Sequence, residues 1–394
     1  MVLKEICDVY SGYALKSFNE SRIGYPVIKI GNILTDGSLE LKECQYTDQD
    51  INEKYFSQKG DIYIALSGAT TGKIGIMCTS NKYVINQRVG VVRKRDENIP
   101  QDFLKYFLLR QTDRILQEAS GCAQPNISPK QIAEYEVPQL SRSKMLEIVG
   151  ILDRLTNVIK QRKEELKLLD ECVNARFVEM FGTPTLNDKG WNVVSADECC
   201  KVITDGSHFS PPGQDEGYPM LSVKDMRNDG FHYESCKKIS EEDFKVLKKQ
   251  GCIPQKNDVL VSKDGSYFYY GFVLNEYKEQ AILSSIAMLR PDLNLVNPYY
   301  LCNYMLTEQI VRLVEQNYVT GAALKRVILK GIKKIPVMIP PIELQNQFAD
   351  FVHQVDKSKV ASYNQLKNIA ILLAICSIIY TNLNGNMGRI PYDN

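Results

Sequence analysis

Histidine is scarce in this chain of 394 residues: His208, His232 and His353 are the three, far apart in sequence. That spacing gives no metal signature. The 11 cysteines include no C-x-x-C pair, and an odd count without a regular framework argues against a disulfide scaffold. Reduced thiols and a cytoplasmic setting are the expectation. No apolar run reaches the length of a bilayer-spanning helix, and the opening MVLKEICDVY lacks the basic-then-apolar layout of a secretory leader. The net charge of +1 removes the overall basicity common in nucleic-acid binders, so any basic surface has to be local. Two candidates exist: Arg93-Lys94-Arg95, and the cluster Lys325, Arg326, Lys330, Lys333 and Lys334.

Enzyme constellations are missing as well. GATTGKIG at 68–75 is one residue short of phosphate-loop spacing, and Ile74 stands where Ser or Thr should meet magnesium. NPYY at 297–300 lacks the second proline of the (N/D)PP(Y/F) box of amino-group methyltransferases. Glu40-x-Lys42 has no preceding Pro-Asp to make a nuclease site, and no Ser/His/Asp or Cys/His arrangement stands out. At 44% apolar and 24% charged residues the composition is that of a globular protein, and the length allows two substantial cores.

What is present is an internal repeat. GYPVIKIGNILTDG at 24–37 returns as GYPMLSVKDMRNDG at 217–230, 193 residues later and without a gap. Gly24, Tyr25, Pro26, Asp36 and Gly37 match Gly217, Tyr218, Pro219, Asp229 and Gly230, and Ile28, Ile30 and Ile33 keep step with Leu221, Val223 and Met226. Further parts recur in the same order. GDIYIAL at 60–66 corresponds to NDVLVS at 257–262, and a proline-led helix follows in both copies, after Pro100 and after Pro298. Then come SGCA at 120–123 and TGAA at 320–323, and the proline steps VPQL at 137–140 and IPPI at 339–342. NPYY aligns with IPQD at 99–102, so its shared feature is a proline that opens a helix.

A long helix is expected after each proline step. From Ser141 to Phe181, Met145, Ile148, Leu152, Leu155, Ile159, Leu166, Leu169, Val173 and Met180 recur at three- and four-residue spacings, with Arg162 and Arg176 as exceptions. Gly182 and Pro184 close it. From Ile342 to Leu383 the seam is Phe348, Phe351, Val355, Ile369, Leu372, Cys376, Ile379 and Leu383, with Ser358, Ser362 and Gln365 in its middle. The predicted fold class is α+β: two similar globular domains, each followed by a long helix, the helices pairing as an antiparallel coiled coil. Predicted boundaries are 1–140, 141–182, 183–341, 342–384 and a tail at 385–394. The stretch IAILLAICSIIY at 369–380 is apolar nearly all round, too short to span a bilayer, and needs more than one neighbour. It is either a thicker core or a docking surface formed by Ile369, Leu372, Leu373, Ile375 and Ile379.

The ordered set resembles the specificity subunit of type I restriction–modification enzymes. The carrying segments are SGYALKSFNE at 11–20, ITDGSHFSPPG at 203–213, GDIYIALSGATTGKIG, SGCAQPNIS, VPQLSRSKMLEIVGILD at 137–153 and IPPIELQNQFADFVHQVD at 339–356. Gln139 stands for a proline in the first proline step, and the usual E-E-Q is reduced to Glu343-Leu344-Gln345 in one copy and absent from the other. The resemblance implies a non-catalytic subunit reading an asymmetric, bipartite double-stranded DNA site. It also implies a helical spacer that docks two modification (methyltransferase) subunits, which restriction subunits can join. S-adenosylmethionine, Mg and ATP would then belong to the partners, with no metal or cofactor in this chain. On that reading the DNA-binding candidates are polar turns. They are Lys16 and Ser17; Ser67, Thr70, Thr71 and Lys73; Gln87 and Arg88; Thr204, Ser207 and His208; Lys263, Ser266, Tyr267 and Tyr269; and Lys325 and Arg326. Two other readings stay open: a coiled-coil scaffold that does not bind DNA, and a self-contained methyltransferase or nuclease.

Overall fold

The computed structural model describes residues 1–19, 22–119, 125–265, 267–320 and 326–382. The chain divides into two units, Met1–Lys160 with Ile369–Asn394, and Gln161–Asn368.

The first unit carries β1 (Cys7–Ser11), β2 (Tyr25–Ile28), β3 (Gln45–Thr47), β4 (Ile62–Ala65), β5 (Ile74–Ile76), β6 (Val84–Ile85) and β7 (Val89–Lys94). Its helices are α1 (Leu3–Ile6), α2 (Gln101–Leu109), α3 (Thr112–Ala119) and α4 (Pro129–Ala133), followed by the start of α5 (Arg142–Phe181). One antiparallel sheet has the order β1-β7-β4-β5; a smaller one has the order β3-β2-β6, with β2 and β6 parallel. The alternation in GDIYIAL separates two cores rather than core from solvent, because every residue of β4 is buried. Ile62 and Ile64 pack with Phe103, Leu104, Ile115 and Ile132 of the helices, whereas Tyr63 and Ala65 pack with Ile28, Ile33 and Ile85 from the smaller sheet and its flanks.

The second unit repeats this plan. It carries β8 (Asn192–Ser195), β9 (Cys200–Asp205), β10 (Tyr218–Leu221), β11 (Met226–Arg227), β12 (Gly230–Phe231), β13 (Lys237–Ile239) and β14 (Val259–Ser262). There follow β15 (Gly271–Val273), β16 (Ala281–Ile282), β17 (Ile286–Pro291), β18 (Val319–Thr320), β19 (Arg326–Val327) and β20 (Pro336–Ile339). The helices are the end of α5, α6 (Ala196–Cys199), α7 (Glu241–Lys249), α8 (Pro298–Leu306), α9 (Glu308–Tyr318), α10 (Leu329–Lys333) and α11 (Ile342–Asn382) as far as Asn368. The sheet order β15-β14-β17-β9 matches β5-β4-β7-β1, and β13-β10-β16 matches β3-β2-β6, again with a parallel pair. The opening glycine of each GYP segment has a local cause. Gly24 has φ +88° and Gly217 φ +138°, and a Cβ there would lie 2.1 Å from the Thr47 carbonyl oxygen and 2.2 Å from that of Ile239.

The helices α5 and α11 pack together inside the second unit. Phe177 and Phe181 stack edge-on against Phe348 at 5.4 and 5.5 Å, and Lys359 Nζ lies 2.7 Å from Asp170 Oδ1, so the two helices run antiparallel. The seam passes through Phe177 rather than Arg176. Phe177 is fully buried beside Val173 and Met180, while Arg176 turns outward to Glu179 at 2.8 Å. The start of α5 buries Met145, Ile148 and Val149 in the first unit's core. Gly182, at φ +78°, ends α5. On α11, Ile369 is buried and Leu372 is exposed; of Leu373, Ile375 and Ile379 only the helical backbone is described, and 385–394 lies outside the described residues. No helix among the described residues is long and apolar enough to cross a membrane.

Candidate nucleic-acid interface

The antiparallel registers bring the polar turns of each unit to one end of its sheet. In the first unit Ser11 lies opposite Gly90, Ala65 opposite Val89, and Ile64 opposite Ile74. The ends of β1 and β4 and the starts of β5 and β7 therefore share an edge. Three segments occupy it: the chain after β1, the β4–β5 loop and the β6–β7 turn. Backbone hydrogen bonds join them, from Gln87 N to the Tyr13 carbonyl at 2.9 Å and from Leu66 N to the Arg88 carbonyl at 3.0 Å.

Within this edge the candidates differ in what their side chains already do. Gln87 and Arg88 are exposed. Lys16 and Ser17 are exposed and tied down by Gln49, which accepts from Lys16 N at 3.3 Å and donates to the Ser17 carbonyl at 3.1 Å. Thr71 is buried, its hydroxyl donating to the Gly68 carbonyl at 2.6 Å. Ser67 Oγ and Thr70 Oγ1 are covered and have no hydrogen-bond partner among the described residues. Lys73 closes the loop through its backbone: its N donates to Thr70 at 3.1 Å and its carbonyl accepts from Ala65 at 2.9 Å.

The second unit builds the same edge from different side chains. Asp205 lies opposite Ala287, Ser262 opposite Ile286, and Val261 opposite Gly271. Thr204 is on β9 itself. Just past the strand, the Ser207 hydroxyl donates to the Phe209 carbonyl at 2.6 Å and accepts from Phe209 N at 3.1 Å. Lys263 is buried with its ammonium 2.8 Å from Asp205 Oδ2, and His208 Nε2 lies 3.4 Å from the same oxygen. In the β14–β15 loop, Phe268 is buried at φ +52°, a conformation that bulky residues rarely adopt. Its neighbours differ: Tyr269 is 67% exposed, and Tyr267 donates to Glu315 Oε1 at 2.9 Å. Desolvation and that hydrogen bond push the Tyr267 phenol up from its ordinary pKa. Arg326 opens β19 opposite Asp264, and Ser266 and Lys325 lie outside the described residues.

Sequence reasoning missed Ser284 and Ser285, which occupy the place of Gln87 and Arg88. Ser284 N donates to the Ser207 carbonyl at 2.9 Å, and the Ser285 carbonyl accepts from Lys263 N at 2.9 Å. The signal was available, since INQRVGVVR at 85–93 aligns without a gap on ILSSIAMLR at 282–290. Among the described residues no group of three His, Cys, Asp or Glu side chains is placed to hold a metal ion.

The sequence model of the type I restriction modification DNA specificity domain matches residues 1–168 and again 188–370. The chain belongs to this family. Each specificity-domain match contains one four-stranded sheet with its loop-bearing edge. Two relatives come from Methanocaldococcus jannaschii. The type I restriction enzyme MjaVIII specificity subunit is 28% identical over 179 residues, 42% of this chain and 41% of that protein. The putative type I restriction enzyme MjaX specificity subunit is 20% identical over 377 residues, 90% of this chain and 85% of that protein. Among solved structures, the type I restriction–modification S subunit from M. genitalium aligns with TM-score 0.54 at 14% identity, covering 98% of this chain and 96% of that one. A chain solved in work on complex assembly and conformational transition of the type I R-M system aligns with TM-score 0.52 at 18% identity, covering 94% of each. At these identities the structural likeness shows the fold of a specificity subunit.

Proposed function

We propose that the chain is the non-catalytic DNA-reading subunit of a type I restriction–modification complex and that it recognises an asymmetric, bipartite site. The observation that supports this most is the loop-bearing edge built twice on one scaffold from unlike side chains. Gln87 and Arg88 face solvent where the second unit has Ser284 and Ser285, and Thr70 and Thr71 correspond to Tyr267 and Phe268. A shared frame with divergent loops suits two readers with different half-sites. Each well-made base contact discriminates by ~1–3 kcal/mol, so two readers in series reach a specificity that one short half-site does not. The helices α5 and α11 are then the spacer and the dock for two modification subunits, with restriction subunits joining them. S-adenosylmethionine, Mg and ATP are bound by those partners, and the complex works in the cytoplasm.

Methylome sequencing of the host with and without this gene tests the reading. The expected result is loss of methylation at one asymmetric sequence of two short blocks separated by a fixed gap. Unchanged methylation on deletion, or methyl transfer to DNA by the isolated chain, overturns it.

A further inference from the structure

Resting on that reading, we infer that Lys130 and Lys330 are equivalent phosphate-gripping residues, one for each half-site. Each is the second residue of its short helix, α4 or α10, and each is exposed. The helices are structural equivalents: Ile132 and Ile332 are both fully buried, and the segment leading into each helix lies along the loop-bearing edge. In the first unit Asn126 pairs with Ser67, and Ile127 N donates to the Leu66 carbonyl at 2.9 Å. In the second, Arg326 pairs with Asp264, and Val327 N donates to the Lys263 carbonyl at 3.1 Å. The Cα–Cβ bond of a helical residue tilts toward the helix N-terminus, which is the end of α4 and α10 that the edge segment enters.

The neighbouring basic residues Arg326, Lys333 and Lys334 are not repeated in the first unit, where Asn126, Ala133 and Glu134 stand. Lys333 pairs with Asp197 at 3.0 Å and corresponds to Ala133. Lys334 corresponds to Glu134, which pairs with Lys4 at 2.6 Å. Within that basic cluster, Lys330 is the described residue whose counterpart in the first unit is also a lysine. Neither Lys130 nor Lys330 has an ion-pair partner among the described residues. The surrounding residues differ between copies, as in Ser128-Pro129 against Ile328-Leu329, while the lysine stays. A phosphate contact has this character, since every sequence presents the same backbone charge to it.

The test is the salt dependence of DNA binding by the full chain assembled with its modification subunit, on the methylated sequence and on a random duplex. Lys130→Gln and Lys330→Gln are each expected to weaken binding to both duplexes and to lower the slope of log K against log salt by about 0.9, the value for one lost phosphate contact. The methylated sequence should stay the same. Lys59→Gln and Lys256→Gln are matched controls: these exposed lysines also recur in both copies but precede β4 and β14, at the opposite sheet edge. Their slopes should not change. An unaltered slope in the Lys130 and Lys330 variants, or an equal drop in the controls, overturns the inference alone. A wild-type complex that binds no DNA overturns the proposed function with it.

Discussion

The Asp61 carboxylate is 1% exposed and receives two parallel hydrogen bonds from Arg93, at 2.8 Å from Nε and 2.7 Å from Nη2. Asp258 and Arg290 make the same pair in the second unit, both bonds at 2.8 Å, with the carboxylate fully buried. Each carboxylate also accepts from a backbone N–H three residues earlier, Gln58 at 2.8 Å and Gln255 at 2.7 Å. The pair clamps the start of one central strand to the end of its neighbour, opposite the loop-bearing edge. Removing one partner leaves a buried charge uncompensated. Arg93→Ala and Arg290→Ala should each cost about 3–5 kcal/mol in denaturant unfolding. A loss under about 1 kcal/mol would show that water reaches the stranded carboxylate.

Lys263 separates a structural from a reading role. Its ammonium is buried on Asp205, so Lys263→Ala should destabilise the chain by about 3–5 kcal/mol and disturb DNA binding through the fold. A variant with unchanged unfolding and lost sequence preference would instead make Lys263 a base contact.

Arg88 is exposed on the β6–β7 turn with its backbone fixed. Arg88→Ala should leave unfolding unchanged and relax preference at one base pair by ~1–3 kcal/mol in competition binding. Intact preference and affinity would remove Arg88 from the reading surface.

Cysteine chemistry gives a prediction with a pH sign. The cysteines described are free thiols, and burial pushes those of Cys7 and Cys302 up to about 12 from 9.0. Both stay protonated in the folded chain at pH 8. Alkylation followed by mass spectrometry should label exposed Cys78 and Cys172 and spare Cys7 and Cys302 until the chain unfolds. The raised values also mean that the folded state holds protons the unfolded chain releases. Their contribution to stability is complete below pH 9 and is lost as pH rises toward 12. Rapid labelling of native Cys302 at pH 8 would show that the second core opens.

Glycine at two repeated turns is equally exposed to test. Gly24→Ala and Gly217→Ala each force a Cβ onto a carbonyl oxygen and should destabilise by more than about 1 kcal/mol in thermal unfolding. A neutral result would mean that the turn shifts away from its partner strand.

Much of this architecture was legible in the order of residues. The GYP and DG matches marked duplication because turns with positive φ and close backbone approach tolerate few residues, and heptad spacing marked α5 and α11. Local rules did not reach further. That β4 and β14 divide two cores, that Phe177 rather than Arg176 enters the seam, and that Lys263 faces Asp205 all depend on what packs from distant segments. The sequence by itself determined that one scaffold was made twice and that long helices follow each copy. Only the tertiary structure decided which polar turns share an edge, because antiparallel register, set by hydrogen bonds between remote strands, brings loops together without leaving a trace in local spacing.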